Sequence, residues 1–234
     1  MRNPWSNLPT RAPFILENDR EALRKLDSSL RARGRKGSLV RDEIIPEPFV
    51  GNPFTADVVL LNLNPGFEKS DRKWHRSPTF RKAAIENLNH RKMDYPFYLL
   101  DPRFKDSGGA KYWRKRMRSL IERYGDRKVA NAICVIEWHP YHSEISLGHP
   151  TSKFCDSQDY TAWLVKQAKK RDGCVVLLLR SRRQWQSLVP ESSDWPIVNS
   201  VQSAYLTENN TSRSPGLWQR IEAAVSSQVD GAQK

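Results

Sequence analysis

Cysteine is scarce in this chain: three among 234 residues, Cys134, Cys155 and Cys174, with no CxxC spacing. That excludes a four-cysteine iron–sulfur cluster held by one chain and argues against a disulfide framework. Long apolar runs are missing too, both of the length that crosses a bilayer and as a signal-peptide core after Met1. A soluble, intracellular protein, cytoplasmic and without a membrane partner, is expected. Acidic residues are outnumbered, with 26 Asp and Glu against 39 Lys and Arg, for a formal net charge of +13. Internal repeats and low-complexity tracts are also absent, and the length suits one sizeable core.

The positive excess favours polyanions, of which nucleic acid is the commonest in a cell. Its distribution strengthens that reading, because the cations are clustered. Arg31, Arg33, Arg35, Lys36 and Arg41 surround a glycine-bearing segment; Lys111, Arg114, Lys115, Arg116 and Arg118 crowd one helix; Arg180, Arg182 and Arg183 follow an apolar strand. DNA, single- or double-stranded, is the expected partner of a monomer. Lys111, Arg114, Lys115, Arg118, Arg180, Arg182 and Arg183 are the residues assigned to its backbone phosphates.

Apolar periodicity outlines the elements. Short β-branched and leucine runs at Asp57 to Asn62, Ala132 to Trp138 and Gly173 to Leu179 predict buried parallel strands, with a fourth at Ile197 to Val201. Helical spacing predicts helices from about Phe14 to Leu30, from Ser77-Pro78 to about Asn89, through Trp113 to Tyr124, around Tyr160 to Ala168 and from Ser214 to Ser226. The stretch Arg31 to Pro53 is expected to be irregular. Alternating strands and helices imply a three-layer α/β/α sandwich on a central parallel sheet of about four strands. Residues 1–50 are expected to form an arm and helix packed on the core, 51–228 a single α/β domain, and 229–234 a frayed tail.

The first run ends in Asn64-Pro65-Gly66, a sharp turn at the sheet edge where open α/β folds bind ligands. The other strand ends bring polar and aromatic residues to the same edge: Asn62, Gly66 and Phe67; Glu137, Trp138, His139, Tyr141 and His142; Arg180; Gln202, Ser203, Tyr205, Asn209 and Asn210. Amides, a carboxylate, imidazoles and aromatics beside basic clusters suit a nucleobase, which is read by edge hydrogen bonds and by stacking. Cys134, His139, His142, His149 and Cys155 form a loose zinc-like set, but their spacing matches no standard finger, so no metal and no cofactor is expected.

Asn64-Pro65-Gly66 after a Val/Leu strand resembles the first motif of the uracil-DNA glycosylase superfamily, in its mismatch-specific, thymine and single-strand-selective branches. The likeness extends loosely from Asp57 to Asn210. It implies a DNA-repair enzyme that hydrolyses the N-glycosidic bond of a flipped uracil or modified pyrimidine. Asn64 would hold the attacking water, and Phe67, Trp74 or Phe80 would stack the base. Gly66, where the strictly uracil-specific branch carries tyrosine, would leave room for a 5-substituent. Glu137 stands where some members read the base with asparagine, and Gln202 or Asn209 would contact the leaving group while Ser203 holds a phosphate. The chain departs from the family at Val201-Gln202-Ser203-Ala204-Tyr205, where His-Pro-Ser is usual. Two rival readings follow: a catalytically inactive nucleic-acid-binding module of the same fold, and a metal-dependent nuclease.

Overall fold

A computed structural model describes residues 1–146 and 148–229; the expected frayed tail lies, beyond Val229, outside the described residues. Four strands make one sheet in the order β1-β3-β2-β4: β1 (Phe49–Val50), β2 (Val58–Asn62), β3 (Ile133–Glu137) and β4 (Val175–Leu178). The three longer strands are mutually parallel, with Asn62 opposite Glu137 and Leu61 opposite Leu178. Every residue of the four strands is buried, so both faces are covered, and the chain is a mixed α/β protein of the three-layer α/β/α kind. The apolar composition of the runs follows from that double burial.

Two corrections concern the sheet edges. The fourth strand is not Ile197 to Val201 but Phe49–Val50, inside the segment expected to be irregular, and it runs antiparallel to β3. Ile197 makes only an isolated bridge to Leu178. Pro196 has no N–H to donate, and the chain is then drawn aside by Asn210, whose backbone oxygen accepts from Asn199 N at 2.7 Å and whose side chain accepts from Ser200 N at 2.7 Å. β1 in turn depends on Gly51, at φ +106°, where a Cβ would stand 2.6 Å from Ile133 O; only glycine permits that approach.

The connections are helical. α1 (Arg20–Ala32) precedes β1, and α2 (Asp71–Arg76), α3 (Pro78–Leu88), α4 (Gly108–Arg116) and α5 (Arg118–Ala132) link β2 to β3. α6 (Ser157–Lys169) links β3 to β4, and α7 (Arg182–Leu188), α8 (Glu208–Thr211) and α9 (Leu217–Ser226) follow. The single helix expected through Trp113 to Tyr124 is two, separated at Met117, and α5 is itself broken at Gly125, φ +81°. α2 and α7 were not legible as helices. Residues 1–50 contribute Trp5, Phe14, Leu16, Leu23, Ile45 and Phe49 to the same continuous core as the sheet. No helix among the described residues is long and apolar enough to cross a membrane.

The strand order positions the site. From β2 the chain moves to β3 on one side, then returns across β2 to β4 on the other. Right-handed crossovers put those two connections on opposite faces, so a crevice opens at the carboxyl ends of β2 and β3.

Candidate functional site

A cavity of about 500 Å³ occupies that crevice, a size typical of small-molecule sites. Its floor is made by the last residues of β2 and β3. Parallel pairing puts Asn62 and Glu137 in register, so their side chains leave the sheet on the same face. Asn62 Nδ2 donates to Glu137 Oε1 at 3.0 Å. The remaining oxygens, Asn62 Oδ1 and Glu137 Oε2, are buried and without a hydrogen-bond partner among the described residues. Burial raises the Glu137 carboxyl to about 8, with the Asn62 bond and Arg180 opposing the rise and Glu47 adding to it.

Beyond the strands, residues 63–67 continue beside 138–143. Trp138 N donates to Asn62 O, His139 N to Leu63 O and Ser143 N to Pro65 O. The Asn-Pro-Gly turn is thereby held on a rigid neighbour. Asn64 Nδ2 donates to Pro65 O and to Ser143 Oγ, each at 2.9 Å, and Ser143 Oγ donates to Ile145 O at 2.8 Å. Both amide hydrogens of Asn64 are thus committed. Its Oδ1 accepts from no described residue, and Asn64 lines the cavity.

The opposite wall is polar, and each of its titratable side chains commits one atom to the protein. His142 Nδ1 stands 2.6 Å from Gly66 O and Nε2 3.1 Å from Ile45 O. Burial draws this imidazole below its usual range, so it carries one N–H, which the shorter contact assigns to Gly66 O. His75 Nδ1 accepts from Ile45 N at 3.2 Å, and Glu47, raised to about 7 by burial, accepts from Tyr98 Oη. Glu47, His75 and His142 are the group of described residues whose donor atoms, within 4.8 Å of one another, could surround a metal ion. The imidazole Nδ1 atoms are committed to the Ile45 and Gly66 backbone, so a cation here would draw on the remaining ring nitrogens and on Glu47. The cysteine–histidine set is not assembled: Cys134 lies inside β3 and Cys155 next to α6.

Aromatic side chains close the sides. Phe67 and Phe80 line the cavity together with Tyr112 and Trp113. Phe67 is engaged by Arg41 and Arg72, each guanidinium 5.0 Å from its ring centre. Gly66 has no left-handed φ, and a Cβ added there meets nothing within 4 Å. Neither backbone strain nor a close neighbour explains this glycine; it leaves open space.

Of the residues singled out from sequence, Asn62, Asn64, Gly66, Phe67, Glu137 and Arg180 come together around this cavity. Trp74 does not: it packs on Phe80, ring centres 5.8 Å apart, outside the lining. His139 is fully buried behind the wall, its Nδ1 accepting from Tyr141 N and its ring 4.9 Å from that of His149. Gln202, Ser203 and Asn209 also lie outside the lining. Gln202 is tied to the site only through its backbone oxygen, which accepts from Arg180 Nη2 at 2.7 Å. Ser203 bonds Ser200, and Asn209 accepts through its backbone from Asn199.

The basic residues divide as well. Lys111, Lys115 and Arg183 are exposed with no ion pair among the described residues. Arg114 is committed to Asp126 and Leu100 O, each at 2.7 Å, Arg118 to Glu122, and Arg182 to Ser193 O. The Arg31–Arg41 cluster, given no site role from sequence, abuts the rim: Arg41 pairs with Glu144, Ile145 N donates to Gly37 O, and Glu144, Ile145 and Ser146 line the cavity. Sequence reasoning missed Ser143, Tyr112 and Glu47. The available signals were weak, a serine directly after Tyr141-His142 and a glutamate bracketed by Pro46 and Pro48.

No protein-family model, curated protein or solved structure matches this chain.

Proposed function

We propose that this chain is a uracil-DNA glycosylase-like repair enzyme that hydrolyses the N-glycosidic bond of a flipped uracil or modified pyrimidine. One observation carries the reading: Asn64, with both amide hydrogens held by Pro65 O and Ser143 Oγ, offers only its carbonyl oxygen to the cavity. An acceptor fixed in that way orients a water by taking one of its hydrogens and directing a lone pair onward. Water oxygen then bonds to the sugar C1′ as the bond from C1′ to the base nitrogen breaks. The bonding pair leaves with the base as an anion, and the proton that the water gives up ends on that anion, giving the free base. The amide orients the water without taking its proton, which suffices when the departing base is stabilised by hydrogen bonds in a water-poor site. The aromatic side walls suit the flat faces of a base, and the open space at Gly66 suits a 5-substituent. The exposed Lys111, Lys115 and Arg183 suit phosphates.

A second reading, an inactive nucleic-acid-binding module of the same fold, is favoured by a different observation. Gln202 and Ser203, the counterparts of the family's second motif, lie outside the cavity lining. The two readings part in one assay. Purified protein is incubated with single- and double-stranded oligonucleotides carrying uracil or a 5-substituted uracil, and abasic sites are revealed with alkali. Abasic sites that disappear in Asn64→Ala are the expected result. Binding without abasic sites, unchanged by that substitution, would sink the enzyme reading. Strand cutting that needs added metal and no alkali would point instead to a nuclease.

A further inference from the structure

Two buried oxygens without a partner among the described residues belong to side chains that line the cavity floor. A buried polar atom without a partner is rare and costly in a folded protein. Here two of them, Asn62 Oδ1 and Glu137 Oε2, belong to one hydrogen-bonded pair, on side chains only 4% and 3% exposed, both lining the same cavity. The bond from Asn62 Nδ2 to Glu137 Oε1 settles what each offers. With its NH₂ turned to Glu137, Asn62 presents Oδ1, an acceptor and nothing else. With Oε1 accepting, Glu137 presents Oε2, which is an O–H donor when the acid is neutral and a second acceptor when it is ionised.

We propose that Asn62 and Glu137 together are the specificity element of the cavity: a fixed carbonyl acceptor beside a carboxylic O–H donor, complementary to a neutral ring edge that carries one N–H next to one acceptor. The choice of a nucleobase as the ring rests on the glycosylase reading. Uracil presents this edge as N3–H beside a carbonyl, and cytosine presents it as an amino N–H beside N3. An edge with a methylated ring nitrogen lacks the donor and leaves Asn62 Oδ1 unpaired.

The surroundings favour the neutral acid. No cationic group among the described residues pairs with Glu137: Arg180 acts on it from the end of β4 but is hydrogen-bonded to Gln202 O, while Glu47 adds like charge from the opposite wall and Tyr112 is another titratable group that interacts with it. The carboxyl therefore stays protonated to about pH 8. Above that it becomes a second acceptor beside Asn62 Oδ1, and the complementarity is lost. The glutamine variant is a direct mimic of the neutral acid, because its amide keeps an acceptor for Asn62 and supplies an N–H donor that does not titrate.

The test is equilibrium binding of oligonucleotides carrying one hydrolysis-resistant 2′-fluoro nucleotide, with uracil, N3-methyluracil or cytosine as its base, at about pH 6.5 and about pH 9, on either side of the ionisation. Wild-type protein should favour uracil or cytosine over N3-methyluracil by about tenfold at the lower pH, and should lose that preference at the higher. Comparison of uracil with cytosine shows which order of donor and acceptor the floor takes. Glu137→Gln should keep the preference at both pH values, and Asn62→Leu should lack it at both, with circular dichroism confirming that each variant folds. A wild-type preference unchanged by pH, or its loss in Glu137→Gln, would overturn the proposal, since either means the ionised carboxylate does the reading. Cleavage of an ordinary uracil oligonucleotide, run in parallel, keeps the two ideas apart. Preference without abasic sites removes the enzyme and retains the recognition pair; abasic sites without preference do the reverse.

Discussion

The two walls of the cavity contain similar chemistry put to different uses. On the floor, Asn62, Asn64 and Glu137 each keep an oxygen that no described residue bonds. On the facing wall, His142, His75 and Glu47 are buried too, and each commits one polar atom to the protein: to Gly66 O, to Ile45 N and to Tyr98 Oη. Residue type does not separate the walls, since histidines look more chemical than amides. What the hydrogen bonds do separates them. Those of His142 and His75 hold the backbone at Gly66 and Ile45 in place, whereas the bond between Asn62 and Glu137 joins two side chains and leaves one oxygen of each without a partner among the described residues.

The largest expected effect concerns the two buried carboxyls. Glu137 is raised to about 8 and Glu47 to about 7, so the folded state retains protons that the unfolded chain releases above about pH 4.5. The contribution of these two carboxyls to stability therefore falls as pH rises from about 4.5 to about 8, by up to about 1.4 kcal/mol per pH unit for each proton held. The five histidines, all lowered by burial, act in the opposite direction up to about pH 6.5, so the net decline shows above it. Glu137→Gln should flatten this decline, with a gain on the order of 3 kcal/mol at pH 8 in urea unfolding. An unchanged pH profile would remove the contrast between floor and wall.

Next comes Asn64→Ala, expected to lower base release about a hundredfold, the usual scale for a misplaced reactant, while the urea midpoint hardly moves. His142→Ala should show the reverse balance. It leaves Gly66 O unpaired and should cost about 2 kcal/mol of stability, with activity changing only as the turn loosens. Gly66→Tyr fills open space without a backbone clash. It should lower activity on 5-substituted uracil about tenfold relative to uracil, as measured by competing the two substrates. Smallest of all, Lys111→Gln and Lys115→Gln should each reduce the salt dependence of DNA binding by about one counterion. Arg114→Gln should instead destabilise the fold, because its guanidinium holds Asp126 and Leu100 O.

Much of the frame was legible in the chain. Val58 to Leu61, Cys134 to Ile136 and Val175 to Leu178 are apolar on both faces, and only a covered parallel sheet explains such runs. β1 was not legible, because two residues between prolines and a glycine carry no periodicity and pair only when β3 is already present. The expected strand at Ile197 to Val201 had the right residues but is turned away by Asn210, a contact invisible in sequence. At the site, Asn64, Asn62, Glu137 and Gly66 could be named because each ends or follows an apolar run. Trp74, His139 and Gln202 could not be excluded, since proximity along the chain says nothing about which side of a turn a side chain takes.

By itself, then, the sequence determined the class of fold and the strand whose end carries the amides, because burial on both faces demands continuous apolar runs and Pro65-Gly66 must end one of them. Only the tertiary structure decided which polar groups are free. Satisfaction depends on partners far apart in the chain, Glu137 for Asn62 and Ser143 for Asn64. An amide whose hydrogens are taken by those partners has one face left, and that face is turned to the cavity.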